Sequence, residues 1–267
     1  FQVTDNLALS IADFTKYSLV VPSDSRLPNG GGYTLTGIYN VNPDKFGLAS
    51  NYNTLSDNYG KQTDHWTGFD LTLNARLHNG LVLNGGASAG KQVTDNCEIV
   101  AKLPEMTFAT ATVTTGTILP ADFCHSETSM QPQFKMYGIY TLPKVGVQVS
   151  GTYRNVVGAT QAANYTATNA ILAATSTLGR PLSGGAASHT IQLVDSNANL
   201  LDRRNELDMR VGKVLRFGRT RAQASLDIFN ALNSNAVLTA STAYATYLRP
   251  QSILNARLMK FSLNLDF

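Results

Sequence analysis

The residues with the most obvious chemical reach are two cysteines, Cys97 and Cys124, and four histidines, His65, His78, His125 and His189. A structural zinc needs four ligands, and His125 is the only other soft donor near the cysteine pair, so no metal site is expected. The cysteines are then either a disulfide or two buried thiols, and the compartment decides between them. The histidines fall in three different connections and at one strand mouth, which gives no cluster. No Ser-His-Asp arrangement emerges, and no Gly-rich phosphate loop precedes a helix. Gly30-Gly31-Gly32 and Gly184-Gly185 read more simply as loop glycines. No catalytic or cofactor site is expected, and the chain does not read as an enzyme.

Charge supplies the other candidates. Charged residues make up only 15% of the chain, the formal charge is +3, and Lys and Arg are scattered. Nucleic acid as a partner would require a basic stripe, which is missing. Five charges nevertheless stand out by position: Asp70, Arg76, Asp208, Arg210 and Asp227 each fall opposite an apolar face. In a narrow barrel such residues pair into a packed interior; in a wide one they line a water-filled channel or meet a plug. Mutual pairing is the preferred reading for each.

The elements that position them alternate with period two in segments of about ten residues, the length of a tilted membrane strand. Met259, Phe261, Leu263, Leu265 and Phe267 share one face of the last segment, against Lys260, Ser262, Asn264 and Asp266. Leu207–Phe217 repeats the pattern with Lys213 interrupting the apolar face, and Phe69–Leu77 repeats it again. Weaker versions run over Leu81–Val93, Phe134–Leu142, Val145–Tyr153 and Ala222–Ile228. No apolar stretch approaches the roughly 18 residues of a membrane helix.

Connection lengths give an independent signal. Backward from Phe267 they run long (233–252), tight (Gly218-Arg219-Thr220), long (158–202), tight (Pro143-Lys144), long (94–130) and tight (His78-Asn79-Gly80). An outer-membrane barrel has short periplasmic turns and long external loops. A soluble β-sandwich, the competing fold, does not predict that order. The expected fold is therefore all-β: about seven or eight antiparallel transmembrane strands of a larger barrel, with long extracellular loops, in a bacterial outer membrane. Residues 63–267 hold the barrel strands and three long loops.

By the same parity, residues 1–62 lie outside, as a strand end plus a loop or hairpin region. Phe1–Asn6 reads as the outer end of an ascending eighth strand; Tyr33–Val41 and Phe46–Asn53 alternate weakly and read as a surface hairpin on the rim. Residues 158–190, rich in Ala, Thr, Asn and Gly, are expected to be partly mobile. Phe1 follows no Met and no basic-then-apolar leader, which reads as a processed or partial chain. Parity also places Cys97 and Cys124 in one external loop, where disulfides persist, so pairing is expected, with a stabilisation of roughly 3–4 kcal/mol. Phe267, an aromatic closing an apolar alternation, is the expected signal for barrel-insertion machinery, with Phe217 in the same interfacial belt.

Residues 200–267 resemble the C-terminus of TonB-dependent receptors. Leu226-Asp227-Ile228-Phe229-Asn230-Ala231-Leu232-Asn233 is similar to that family's penultimate-strand motif, and Arg249–Arg257 with the final strand is similar to its ending. Val3–Leu7, Gly60–Trp66 and Gly179–Gly185 resemble stretches of the receptor-like members that carry a carboxypeptidase-regulatory-like domain. The resemblance implies a barrel of about 22 strands, an N-terminal plug and engagement of TonB from the periplasm. It further implies uptake of a bulky nutrient or peptide, with outer-membrane lipid and the missing barrel and plug, or other chains, as partners. Two rivals stand beside it: a non-transporting surface, adhesion or assembly protein, and a self-contained eight-stranded barrel closed by pairing Phe1–Asn6 with the last strand.

Overall fold

A computed structural model describes residues 1–77, 79–108, 116–218 and 220–266. The chain enters through β1 (Gln2–Asn6), β2 (Phe14–Val20), β3 (Thr34–Val41) and β4 (Asn51–Leu55), then the long strands β5 (Thr63–Arg76) and β6 (Leu81–Asp95). The next connection carries one helical turn, α1 (Cys97–Val100), and two short strands, β7 (Thr117–Ile118) and β8 (His125–Glu127). After β9 (Gln133–Leu142) and β10 (Val147–Val156), β11 (Asn164–Thr168), α2 (Asn169–Thr175) and β12 (Ser188–Gln192) fill the following connection. Then come β13 (Arg204–Phe217), β14 (Thr220–Phe229), the hairpin β15 (Val237–Ala240) and β16 (Pro250–Ile253), and finally β17 (Leu258–Asp266).

Seven of these strands form one antiparallel meander, β5-β6-β9-β10-β13-β14-β17. They are the seven that period-two alternation marks. The tight links between β5 and β6, β9 and β10, and β13 and β14 lie at one end; every long connection leaves from the other. Gly80, at φ +84, supplies the left-handed backbone that the first tight link needs. β5, β6 and β13 run 14 or 15 residues, about 48 Å at strand rise.

Register fixes the two faces, because directly opposed residues share a face. One transverse row reads Leu81, Tyr140, Val149, Val211, Leu226 and Phe261 across six neighbouring strands. The next row on the other face reads Arg76, Val82, Ile139, Ser150, Arg210, Asp227 and Lys260. One side is thus apolar across these strands, with β5 joining it through Leu71 opposite Ala87, and the charges collect on the other side, where Val82 and Ile139 interrupt the polar row. Among the described residues no protein layer covers the apolar side: Leu71, Phe261 and Leu263 keep 66%, 79% and 62% of their surface exposed.

The principal core lies among the long connections instead. Leu19, Ile38, Ile118, Leu172, Ile191 and Leu193 are fully buried against one another, drawn from five separate stretches of chain. β2 and β3 form a hairpin, and β11, β12 and β7 a small sheet, so the connections build one cap at the long-connection end. α2 is started by Thr168, whose hydroxyl accepts from the Ile171 N–H.

Three expectations are corrected here. Phe1–Asn6 does not extend the meander, and β1 does not close it against β17: β1 pairs with β4 in a separate ribbon. The reason is burial, since Val3 packs with Ile99 and Leu103 in a small cluster of its own. Among the described residues the sheet is open, with β5 and β17 each paired on one side only. Second, the weak alternation of Phe46–Asn53 overlaps a strand only at Asn51–Leu55. Third, residues 158–190 are built into the principal core, where Ala163 and Ala167 are fully buried because small side chains allow close backbone approach. The insertion-signal residue Phe267, His78 and Arg219 of the tight turns, and residues 109–115 of the 94–130 loop lie outside the described residues.

Candidate functional site

The five singled-out charges share the polar face, yet the structure does not gather them. Arg210 on β13 pairs with Asp227 on β14, while Asp208, also on β13, makes contacts of its own. The Arg210 guanidinium clasps the Asp227 carboxylate through two donors, Nη2 to Oδ2 at 3.0 Å and Nε to Oδ1. Arg154 on β10 approaches Asp208 at 3.7 Å, and the Asn230 N–H donates to Asp208 at 2.8 Å. Lys260, opposite Asp227, continues the alternation of sign. Asp70 and Arg76 sit on β5, four strand spacings or about 19 Å away. Asp70 borders a recess of about 250 Å³ with Ser88, Gln133 and Lys135. Near the cap end of this face, the Trp66 ring lies across Gly68 and Gly90; a Cβ on Gly90 would stand 2.2 Å from it. Glycine is required there by close approach.

Within the cap, polar stitches join distant stretches of chain. Arg180 is the densest. Its Nη1 donates to Asn40 Oδ1 (2.7 Å), Ser183 Oγ (3.0 Å) and the Pro181 carbonyl (3.0 Å). Its Nη2 donates to Thr15 Oγ1 (3.1 Å) and the Val41 carbonyl (3.1 Å). All these acceptors are neutral, and burial holds the guanidinium below its ordinary value. Arg26 ties Asp24 to the Tyr244 and Tyr247 carbonyls and stacks over the Tyr244 ring. Asn230, in left-handed backbone at the end of β14, donates to the Ser234 and Asn255 carbonyls and accepts from the Ser234 N–H. It thereby fixes the exit into the 233–252 loop and the return towards β17.

Comparison with family models, curated proteins and solved structures finds no match. The chemistry of the chain must therefore be read from its own geometry.

Cys97 and Cys124 form a disulfide, 27 residues apart in sequence, with Cα atoms 4.9 Å apart. It fastens the start of α1 to the residue before β8, which pairs with the end of β6. Cys97→Ser or reduction should lower the stability of the 97–124 segment by about 3 kcal/mol in the chain-entropy account. Limited proteolysis checks this: faster cleavage within that segment is expected, with the sheet unaffected.

The three described histidines, His65, His125 and His189, lie on different strands, β5, β8 and β12. His65 is exposed on β5, and His125 Nδ1 lies 2.9 Å from Asp95. Among the described residues no three His, Cys, Asp or Glu side chains converge on a metal position. His189, on β12, is buried, and its Nδ1 has no hydrogen-bond partner among the described residues. Burial pushes its pKa down. Its neutral form is thus favoured in the folded state, so the cap keeps full stability above the unfolded value of about 6.5 and loses it as pH falls below that. Thermal unfolding between pH 7.5 and 5 should show this loss, and His189→Gln should remove that component of it.

Sequence reasoning missed Arg26 and Asn40 altogether. Arg180 and Asn230 lay inside stretches noticed for their familiarity, but their roles were invisible because their partners are 140 and 25 residues away.

Proposed function

We propose that this chain forms part of the wall and the external cap of an outer-membrane receptor-like barrel of the TonB-dependent type, which admits a bulky nutrient or peptide. The observation that carries the reading is the uncovered apolar face, continuous through register over seven strands, in a molecule whose principal core lies elsewhere. In water such a face would be a large association liability; against lipid tails it is the favoured exterior. The open edges of β5 and β17 support a larger barrel, because unpaired strand edges are not tolerated in hydrocarbon and need further strands to pair them. The order of tight and long links, and the similarity of Leu226–Asn233 and the final strand to that family's ending, support the same choice. The polar face, with its paired and unpaired charges, would then border the path, and the cap would meet cargo first.

A second reading keeps the barrel as an anchor for a surface-binding cap. It is favoured by the cap's own hydrophobic core, which makes it a cohesive body rather than a set of separate loops. Growth on a panel of large nutrients and peptides as sole sources separates the two. Under the transport reading, disrupting this protein and disrupting TonB give the same growth defect on the same source, without additivity. A normal growth profile with lost surface attachment would select the anchor instead.

A further inference from the structure

The cap contains an apolar cavity of about 430 Å³, within the roughly 300–1,000 Å³ of ordinary small-ligand sites. It lies between two minor clusters of the cap, one around Val3, Ile99 and Leu103 and the other around Phe14, Tyr39 and Val41. Val3, Val41, Phe46, Leu48, Met106 and Phe108 form its apolar walls. Phe46 is seated on Gly184, where a Cβ would meet the ring at 2.0 Å, so the 179–185 stretch sets one wall.

The polar groups in this cavity are asymmetric in charge. Glu105 lines it, and its Oε1 accepts from the Asn6 N–H at 3.1 Å. Asn6 itself is locked by its side chain, which donates to the Leu48 carbonyl and accepts from the Ser50 N–H. Asp5, beside Glu105, takes a hydrogen bond from the Tyr59 hydroxyl. Burial pushes the Glu105 carboxyl up, and Asp5 adds to this, while the Asn6 N–H pulls it back. The one basic residue of the lining, Lys45, is ion-paired with Asp13 at 3.4 Å. An anionic guest would face the Glu105 carboxyl, with Asp5 behind it, and the lining's one cation already paired; a cationic guest would supply the charge that this carboxyl lacks.

We propose that this cavity binds a small amphiphilic cation, an aryl- or alkyl-ammonium whose apolar body lies between Phe46 and Met106 and whose ammonium donates to Glu105. The inference does not rest on transport, since every lining residue belongs to the cap.

Met106 gives a local reporter, because the chain has only five methionines. The full chain, with methyl-labelled methionine and in detergent micelles, is titrated with 2-phenylethylammonium, 2-phenylethanol and 3-phenylpropionate; Met106→Leu assigns the signal. The expected result is a saturable shift of the Met106 methyl by the ammonium, at least tenfold tighter than by the carboxylate. Glu105→Gln keeps an oxygen for the Asn6 N–H and should bring ammonium affinity down to that of the alcohol. Leu48→Trp, at a half-exposed wall position, should abolish binding of all three probes. No saturable shift, equal or tighter binding of 3-phenylpropionate, or unchanged ammonium affinity in Glu105→Gln would each overturn the proposal.

Discussion

Arg180→Ala should unfold the cap while leaving the seven-stranded sheet in place, at a cost of roughly 3–5 kcal/mol for the lost charge-assisted bonds and the acceptors left unpaired. The size follows from where the acceptors are. Asn40, Val41 and Ser183 are all nearly inaccessible, so solvent cannot replace the guanidinium once it is gone. Ser183 also donates to Val41 and accepts from Arg180, so one truncation leaves several buried groups without partners. Arg180→Lys should recover little, because a single ammonium cannot reach both Asn40 and Thr15 from one position. Thermal melts followed by proteolysis of the 158–202 connection read this out. A melt within 1 °C of the parent would show that the hairpin and that connection are held by apolar packing alone.

The second large effect lies on the sheet, and its size separates two accounts of the same face. Leu263→Arg, near the middle of β17, should destabilise the barrel in a bilayer by about 2–4 kcal/mol, the measured scale for Arg on a lipid-facing position at the midplane. Ser262→Arg, one residue earlier on the polar face, should cost far less. In a water-facing sheet the expectation reverses, because Leu263 is 62% exposed and an exposed Leu→Arg change stays within about ±0.5 kcal/mol. Urea unfolding of both variants from phosphatidylcholine vesicles measures the difference.

The sheet was legible and most of the cap was not, for one physical reason. Period two is a local property, and a strand with one apolar face must be apolar at every second residue, as Met259 to Leu265 are. Register then carries the pattern from strand to strand with no long-range information. β2 shows the failure. Its buried residues Phe14, Tyr17 and Leu19 are spaced three and two apart, because Phe14 packs with Tyr39 and Val41 in one cluster while Tyr17 and Leu19 belong to the principal core. The β1–β4 ribbon was misplaced because Val3 gains more by packing on Ile99 and Leu103 than a sixth residue of alternation could signal. In the polar face the Arg210–Asp227 clasp was within reach of sequence, since both fall on the same side of strands that are neighbours along the chain. The distance between that clasp and Asp70 or Arg76 follows from the same strand order, since three strands separate β5 from β13. The Glu105 cavity was beyond sequence altogether: its walls come from residues 2–9, 41–51 and 105–108, which no periodicity relates.

The account stands on one claim, that the apolar face of the sheet meets lipid. Single tryptophans at Phe261, Ser262, Leu263 and Asn264, in a Trp66→Phe background, test it most directly when the protein is reconstituted into vesicles of brominated phosphatidylcholine. The account predicts strong quenching at 261 and 263 and weak quenching at 262 and 264, following the two faces of β17. Equal quenching at all four positions, or none at 261 and 263, would contradict it and leave that face to be covered by protein.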